Sequence, residues 1–104
     1  MKKLKNENNL SKNEIINFLK KNKKYIKEEF GVTKIALFGS YSRNEQKKSS
    51  DIDLLIELKT SDFRKRMQLK RFLEGKFKKD VDLGYFNSVR FAIKRNIEKD
   101  LIYA

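Results

Sequence analysis

Three short apolar segments of strand type, each followed by polar or helical sequence, constrain the fold of this chain more than any other feature. Residues 33–38 contain the apolar run 35–38, which stops at Gly39, and residues 52–58 carry Ile or Leu at every second position. Residues 81–86 form a third segment of this kind. Alternation with a period of two is typical of strands that bury one face. These segments therefore predict a small sheet.

Helical spacing precedes the first strand and follows the second. Ser11 and Glu14 form a capping-box pattern for a helix over roughly 12–30, and Gly31 suits the position after its end. Ser61 is the predicted N-cap of a second helix that reaches about residue 77. Apolar residues recur at helical spacing in both helices: Ile15, Phe18, Leu19, Ile26 and Phe30 in the first, and Met67, Leu69, Phe72, Leu73 and Phe77 in the second.

A last helix is predicted after the third strand. Ser88 suits its N-cap, and an apolar seam repeats every four residues at Val89, Ile93, Ile97 and Leu101. The order α-β-loop-β-α-β-α indicates an α/β (α+β) fold, with a small mixed sheet packed against helices. The polar residues 1–10 predict a flexible N-terminus, and residues 11–104 are interpreted as one domain.

The composition excludes most kinds of catalytic chemistry. The 104 residues contain neither His nor Cys, which removes Ser-His-Asp catalysis, thiol nucleophiles and metal sites built on imidazole or thiolate. Lys and Arg outnumber Asp and Glu by 26 to 14, and the net charge of +12 favours anionic partners. No apolar run is long enough to span a membrane, so we expect a cytoplasmic protein without membrane contact.

Two carboxylates interrupt the second strand segment. Asp51 and Asp53 are two residues apart, so their side chains project from the same face of a strand while Ile52 and Leu54 project from the other. Neighbouring carboxylates repel each other unless a cation lies between them, and Mg²⁺ prefers oxygen ligands. Because Asp-x-Asp pairs are also common on solvated strand faces, this pair alone does not establish a metal site.

A third carboxylate strengthens the interpretation. Asp82 lies between Val81 and Leu83, inside an apolar run. Asp80 has the same parity along the strand and is the competing residue, but it follows two Lys at the strand entrance, as a boundary residue would. Asp82 is therefore the preferred third acid. Three carboxylates on neighbouring strands can bind two metal ions and supply a general base for an attacking hydroxyl.

Gly39 and Ser40 end the first strand segment directly before a polar loop. Gly lets backbone N–H groups approach an anion closely, and a Ser hydroxyl can donate a hydrogen bond to a phosphate oxygen. Most Gly-Ser pairs are ordinary turns. Here, however, ten residues separate the pair from the Asp-Ile-Asp of the next strand, and this combination is more specific than either part.

This combination resembles the nucleotidyltransferase fold of the DNA polymerase β superfamily, and more narrowly the minimal nucleotidyltransferase (MNT) group. Residues 35–45 are similar to that family's first strand and its G-S-x-A-R-G-E loop. Residues 50–56 are similar to its S-D-I-D-L-L-V strand, and residues 80–83 to its strand with the third carboxylate. The resemblance runs from about residue 12 to the C-terminus. Many MNT proteins act as antitoxins beside HEPN-family toxins.

The resemblance implies an enzyme and its catalytic residues. Asp51, Asp53 and Asp82 would be both catalytic and metal-binding, and together they would hold two Mg²⁺ ions. Asp82 would also help to deprotonate the acceptor hydroxyl. The implied reaction transfers AMP from ATP to a Tyr hydroxyl of a cognate HEPN-type toxin and releases pyrophosphate. The implied partners are that toxin and the nucleoside triphosphate.

The resemblance also implies a nucleotide-binding loop. Gly39 and Ser40 would hold the β- and γ-phosphates, and Arg43 would lie near the phosphates or pair with Glu45 to brace the loop. Asn44 stands where the family commonly has Gly. Asn tolerates a left-handed backbone better than most residues, so the loop geometry at Asn44 is the point that a structure must decide.

Two other functions stay open on the sequence alone. A binding-only antitoxin would neutralise its partner by docking, with its acids idle. A basic RNA-binding module is less favoured, because the chain has no recognisable RNA-binding signature and its aromatic residues have core-like spacing. The basic residues of the first two helices are interpreted as solvated faces, or else as a docking surface for RNA or an acidic partner: Lys20, Lys21, Lys23, Lys24, Arg64, Lys65, Arg66, Lys70 and Arg71.

Overall fold

A computed structural model of the chain describes residues 10–88 and 99–104. Its elements in chain order are α1 (Lys12–Lys21), α2 (Lys23–Phe30), β1 (Val32–Phe38), β2 (Ile52–Leu58), α3 (Phe63–Phe77), β3 (Val81–Tyr85), a 3₁₀ turn (Phe86–Ser88) and β4 (Ile102–Tyr103). The predicted mixed fold class is confirmed. None of the helices in the described ranges has the length and apolar character that crossing a membrane requires.

The strands form one mixed sheet in the order β3-β2-β1-β4. β1 pairs antiparallel with both β2 and β4, whereas β2 and β3 are parallel and are connected through α3. A parallel pair requires such a crossover, and a helix is its usual form. The first residues of β2 and β3 therefore lie at the same end of the sheet, where β1 ends.

The core lies between the helices and one face of this sheet. The helices contribute Ile15, Leu19, Ile26, Leu69 and Leu73, and the sheet contributes Ile35, Leu37, Ile52, Leu54, Ile56, Val81 and Leu83. Burial of each large aliphatic side chain contributes about 1.5–3 kcal/mol. Because side chains alternate along a strand, residues 53 and 82 must point to the opposite face. The alternation thus separates the core from the acids.

The predicted single helix over 12–30 is wrong, because Asn22 divides it into α1 and α2. The predicted capping box of Ser11 and Glu14 is present at the start of α1. The Asn22 side-chain amide donates to the Phe18 carbonyl at 2.9 Å, and the Asn22 backbone N–H donates to the same carbonyl at 3.0 Å. An Asn side chain that competes for backbone groups in this way favours a helix end over a helix interior.

The predicted N-cap of the next helix is off by one residue. Asp62, not Ser61, caps α3, since its carboxylate accepts hydrogen bonds from the backbone N–H groups of Arg64 at 2.9 Å and Lys65 at 3.3 Å. An ionised cap also interacts favourably with the helix dipole. The buried side of α3 carries Leu69, Leu73 and Phe77, as predicted, whereas Met67 and Phe72 are half-buried.

The C-terminal prediction is wrong at Leu101. Leu101 belongs to no helix, and the two-residue strand β4 follows it and pairs with β1. The Ala104 N–H donates to the Ile35 carbonyl at 3.1 Å and extends this pairing. Ser88 ends the 3₁₀ turn. The remainder of the predicted last helix, over 89–98, and the predicted flexible N-terminus, except for Leu10, lie outside the described residues.

Candidate active site

Register places two of the predicted acids side by side. Asp53 of β2 is the Cα partner of Asp82 on β3, and its partner on the other side is Phe38, the last residue of β1. Neighbouring strands lie about 4.8 Å apart, so the two carboxylates leave the same face from adjacent positions. Asp53 is half-buried and Asp82 is exposed.

The other two acids flank this pair. Asp51 immediately precedes β2, is exposed, and shares the parity of Asp53. Asp80 precedes β3, and its backbone carbonyl accepts a hydrogen bond from the Ile52 N–H at 3.0 Å. The negative charges that raise the pKa of Asp53 are those of Asp82 and Asp51, and Asp80 is not among them. We call Asp51, Asp53 and Asp82 the acid cluster.

The electrostatics of Asp53 show how crowded this cluster is. Burial of the side chain, followed by the negative charges of Asp82 and Asp51, raises the pKa of Asp53 from 3.8 to about 6, against a smaller lowering by Arg43. A carboxylate near other carboxylates is destabilised in its charged form unless a cation compensates. The acid cluster is therefore a place where positive charge would be bound favourably.

The oxygen donors of the acid cluster fit a hard divalent cation. Neither of the ion pairs within residues 10–88 and 99–104 involves these three carboxylates, so they are available as ligands. In that same part of the chain, no group of three or more acidic side chains is arranged so that it could hold a metal ion. Mg²⁺ is usually held by one or two carboxylates together with substrate phosphates. A partial protein set completed by substrate is compatible with that mode of binding.

Gly39 lies directly against the acid cluster. A Cβ built on Gly39 would collide with a carboxylate oxygen of Asp53 and would come within 3.1 Å of its Cγ. Gly39 also has a φ of +78°, in the left-handed region that side chains other than Gly rarely adopt. Both the space and the backbone conformation at this position thus require Gly.

The residues after Gly39 form a compact turn. The Arg43 and Glu45 N–H groups donate to the Ser40 carbonyl at 3.2 Å and 2.8 Å. Tyr41 is 2% exposed and fastens the turn to the core, and its burial raises the pKa of its hydroxyl. Asn44 has a φ of +58°, so this Asn adopts the left-handed conformation that the sequence alone left open at this position.

The start of this turn offers donors to an anion. The Ser40 and Tyr41 N–H groups donate to no backbone carbonyl among the described residues, whereas the four amides that follow donate within the turn. Successive backbone N–H groups at such a turn can bind an anion. Ser40 is half-buried beside Gly39, so its hydroxyl and these amides lie next to the acid cluster.

Arg43 braces the loop through two ion pairs. Its Nε lies 3.0 Å from Glu45 Oε1, and its Nη1 lies 3.5 Å from Asp100 Oδ2. The hydrogen bond with Glu45, more than the charge of Asp100, raises the pKa of Arg43 above its ordinary value. Of the two predicted alternatives for Arg43, pairing with Glu45 is the one observed here. Asp100 was not predicted, because nothing in the sequence connects residues 57 positions apart.

Family comparison identifies the class of protein. A family model described as "Nucleotidyltransferase domain" matches residues 19–104. The chain belongs to this family. The predicted resemblance is confirmed, and the protein is an enzyme of the nucleotidyltransferase class.

Two similar proteins carry names of protein adenylyltransferases. This nucleotidyltransferase is 45% identical over 92 residues to MJ0128 of Methanocaldococcus jannaschii, which is assigned as a protein adenylyltransferase, and the match covers 86% of this chain and 94% of that protein. It is 34% identical over 95 residues to the protein adenylyltransferase MntA of Thermococcus cleftensis, with coverage of 90% and 96%.

Two solved structures of toxin–antitoxin complexes contain chains similar to this nucleotidyltransferase. One complex was crystallised with AMP-PNP, and its chain is 29% identical with a TM-score of 0.63, covering 90% of this chain and 72% of that one. The other contains a tri-AMPylated Shewanella oneidensis HEPN toxin with an MNT antitoxin, and the matching chain is 27% identical with a TM-score of 0.54. That match covers 88% of this chain and 66% of the other.

Proposed function

We propose that this nucleotidyltransferase is a cytoplasmic antitoxin that transfers AMP from ATP to a Tyr hydroxyl of a HEPN-family toxin. The observation that carries this proposal is the register that sets Asp82 beside Asp53, with the Gly39–Ser40 turn against them. Supporting it are relatives named as protein adenylyltransferases and a similar chain in a complex with an AMPylated HEPN toxin.

In this proposal the acid cluster holds Mg²⁺, with two ions as the expected number. Mg²⁺, when bound, neutralises phosphate charge and helps to orient ATP. Gly39 keeps the backbone close to Asp53, and the Ser40 hydroxyl and N–H donate to the β- and γ-phosphate oxygens. Arg43 keeps the turn in place through Glu45 and Asp100, and lends positive charge to the phosphate side. These groups contribute chiefly by positioning the reactants and stabilising charge.

The transfer is a displacement at the α-phosphorus of ATP. The acceptor hydroxyl oxygen forms a bond to this phosphorus, while the bond to the oxygen that bridges the α- and β-phosphates breaks. The electron pair of the broken bond leaves with pyrophosphate. Asp82, which is exposed at the sheet edge, takes the hydroxyl proton. A toxin side chain can reach this exposed carboxylate more easily than the half-buried Asp53.

The alternatives are less well supported. The feature that favoured a binding-only antitoxin was Asn44, which departs from the loop motif that this segment resembles. The backbone at Asn44 is left-handed, a conformation that Asn tolerates. An RNA-binding module would array exposed rings for stacking. Instead, several rings on the helices pack against each other, with centroids 5.1 Å apart for Phe18 and Phe77 and 5.5 Å apart for Phe30 and Phe72.

The test is the intact mass of a HEPN-family toxin after incubation with ATP, Mg²⁺ and a substoichiometric amount of this protein. We expect the wild type to add one or more AMP groups and Asp53→Asn to add none. Asp80→Asn is the matched control. Asp80 is an exposed acid that immediately precedes β3, the strand of Asp82, but it lies outside the acid cluster. If no mass is added while an equimolar mixture still neutralises the toxin, the protein acts by docking alone.

A further inference from the structure

The strand that carries Asp82 lies at the edge of the described sheet. Among residues 10–88 and 99–104 the strand order is β3-β2-β1-β4, so β3 pairs with β2 alone. The Asp80 carbonyl faces β2, since it accepts from the Ile52 N–H at 3.0 Å. Backbone groups of successive strand residues alternate between the two sides, so those of Val81 and Leu83 point away from β2. Within the described part of the chain, no strand therefore lies on the outer side of the backbone that flanks Asp82.

Two side chains of α3 take the place of a neighbouring strand. Glu74 Oε2 accepts a hydrogen bond from the Val81 N–H at 2.9 Å. Arg66 Nη2 donates to the Leu83 carbonyl at 2.6 Å. Both contacts involve a charged partner, and charge-assisted hydrogen bonds are shorter and stronger than neutral ones. Together they hold the residue before Asp82 and the residue after it. We call Arg66 and Glu74 the edge clamp.

The placement of Arg66 is specific to a guanidinium. Its Cζ lies 5.6 Å from the centroid of the Tyr85 ring, so the planar group stacks over the end of β3 while it donates to Leu83. Its Nε is buried without a hydrogen-bond partner among the described residues, which carries a desolvation cost. A Lys ammonium can neither stack in this way nor donate from a fixed planar fork.

We infer that Arg66 and Glu74 are positioning residues, which fix the β3 backbone so that the Asp82 carboxylate stays beside Asp53. The inference rests on the proposed function of the acid cluster. Neither residue touches the reacting atoms, and both act through the strand. Partners behind metal ligands typically change metal affinity or activity by about 10–100-fold when they are removed. We expect an effect of that size on divalent-cation binding.

The experiment measures binding of the Mn²⁺ complex of AMP-PNP to the purified full-length protein by isothermal titration calorimetry, without toxin. The nucleotide is included because phosphate oxygens complete the partial ligand set of the acid cluster. Glu74→Met keeps the side-chain length and helix propensity but removes the acceptor, and it should weaken binding of this complex by roughly 10-fold or more. Glu74→Gln retains an oxygen that can accept from Val81 and should restore affinity to within about 3-fold, by the same reasoning. Arg71→Ala, an exposed Arg on the same helix, is the control and should bind as the wild type does.

Hydrogen exchange adds a readout that does not depend on the metal. The Val81 amide should exchange faster in Glu74→Met than in the wild type, while the Leu54 amide of the central strand should not change. If Glu74→Met does not fold, Arg66→Lys replaces it, with a smaller loss of affinity for Mn²⁺–AMP-PNP expected. Wild-type affinity for Mn²⁺–AMP-PNP in a folded Glu74→Met or Arg66→Lys variant overturns the inference. So does Mn²⁺–AMP-PNP binding that Asp53→Asn leaves unchanged.

These outcomes separate the inference from the proposed function. If the wild type adds AMP to the toxin but the clamp variants bind Mn²⁺–AMP-PNP normally, only the positioning role is refuted. If the wild type adds no AMP but Mn²⁺–AMP-PNP binding weakens in both Asp53→Asn and Glu74→Met, the positioning role stands and the proposed reaction is refuted.

Discussion

Substitution of Gly39 by Ala tests whether the turn and the acid cluster are fitted to each other. A Cβ at this position would collide with the Asp53 carboxylate, whose Cβ and Cγ it would approach to 3.2 Å and 3.1 Å. Since Gly39 follows the strand that pairs with Asp53, the backbone has little freedom to move away. We expect the Asp53 side chain to leave its position, and nucleotidyl transfer to be lost with it.

Gly31 supplies a matched control for the size of this effect. Gly31 has a φ of +71°, close to the +78° of Gly39, but a Cβ there would meet nothing within 4 Å. Gly31→Ala should therefore lower the free energy of unfolding only through the strain of a left-handed backbone, by about 1–2 kcal/mol. Gly39→Ala should lower the free energy of unfolding by the same amount and by about 1–3 kcal/mol more, because of overpacking against Asp53. The difference between the two variants isolates the contact with Asp53.

Urea and thermal unfolding of both variants, together with the toxin-mass assay, measure these effects. For a domain of this size each kcal/mol lowers the melting temperature by roughly 5 °C. Gly31→Ala should lose stability yet keep activity, because its position is remote from the acid cluster. Equal losses of stability in the two variants, with full activity in Gly39→Ala, would refute the close fit between Gly39 and Asp53.

Two further predictions concern the charge and the phosphate contacts of the site. Because the folded-state pKa of Asp53 is raised from 3.8 to about 6, the stability that its protonation contributes is present at low pH and is lost as the pH rises through about 6. As the pH rises from about 4 to about 7 in EDTA, Asp53→Asn should therefore gain stability relative to the wild type, and a constant difference in the free energy of urea unfolding would contradict the shift. ATP with Mg²⁺ should raise the wild-type melting temperature by mass action, and Ser40→Ala should reduce this increase whereas Ser49→Ala should not. Identical increases in all three proteins would remove Ser40 from the phosphate contacts.

Strong local patterns made most of the sheet predictable from the sequence. The alternation of Ile and Leu with acidic residues placed β2 at 52–58 with the bounds observed. The same alternation put Asp53 on the face opposite the core before any pairing was known. The choice of Asp82 over Asp80 used only its position inside an apolar run. That Asp53 and Asp82 are adjacent depends on the register between β2 and β3. Register is set by the three-dimensional pairing of the strands and not by composition.

The features that were missed depend on contacts that a linear pattern does not contain. Asn22 divides a well-patterned helix because its side chain donates a hydrogen bond to the Phe18 carbonyl. Neither helical spacing nor capping rules predict that an Asn side chain will compete for this carbonyl. β4 has only two residues, too few for alternation to appear. Asp100 reaches Arg43 across 57 positions. In the same way, the basic pattern of α3 marked Arg66 as a solvated charge and gave no sign of its bond to Leu83.

The period of two along β2 links the stability of this enzyme to its chemistry. Ile52, Leu54 and Ile56 are buried against the helices, while Asp53 between them faces the acid cluster. A slip of one residue in the pairing of β2 would bury the carboxylate and expose the aliphatic side chains. The aliphatic residues therefore determine the register, and the register places Asp53 beside Asp82. A chain of 104 residues needs no separate scaffold for its acids, because the same strand builds the core with one face and the site with the other.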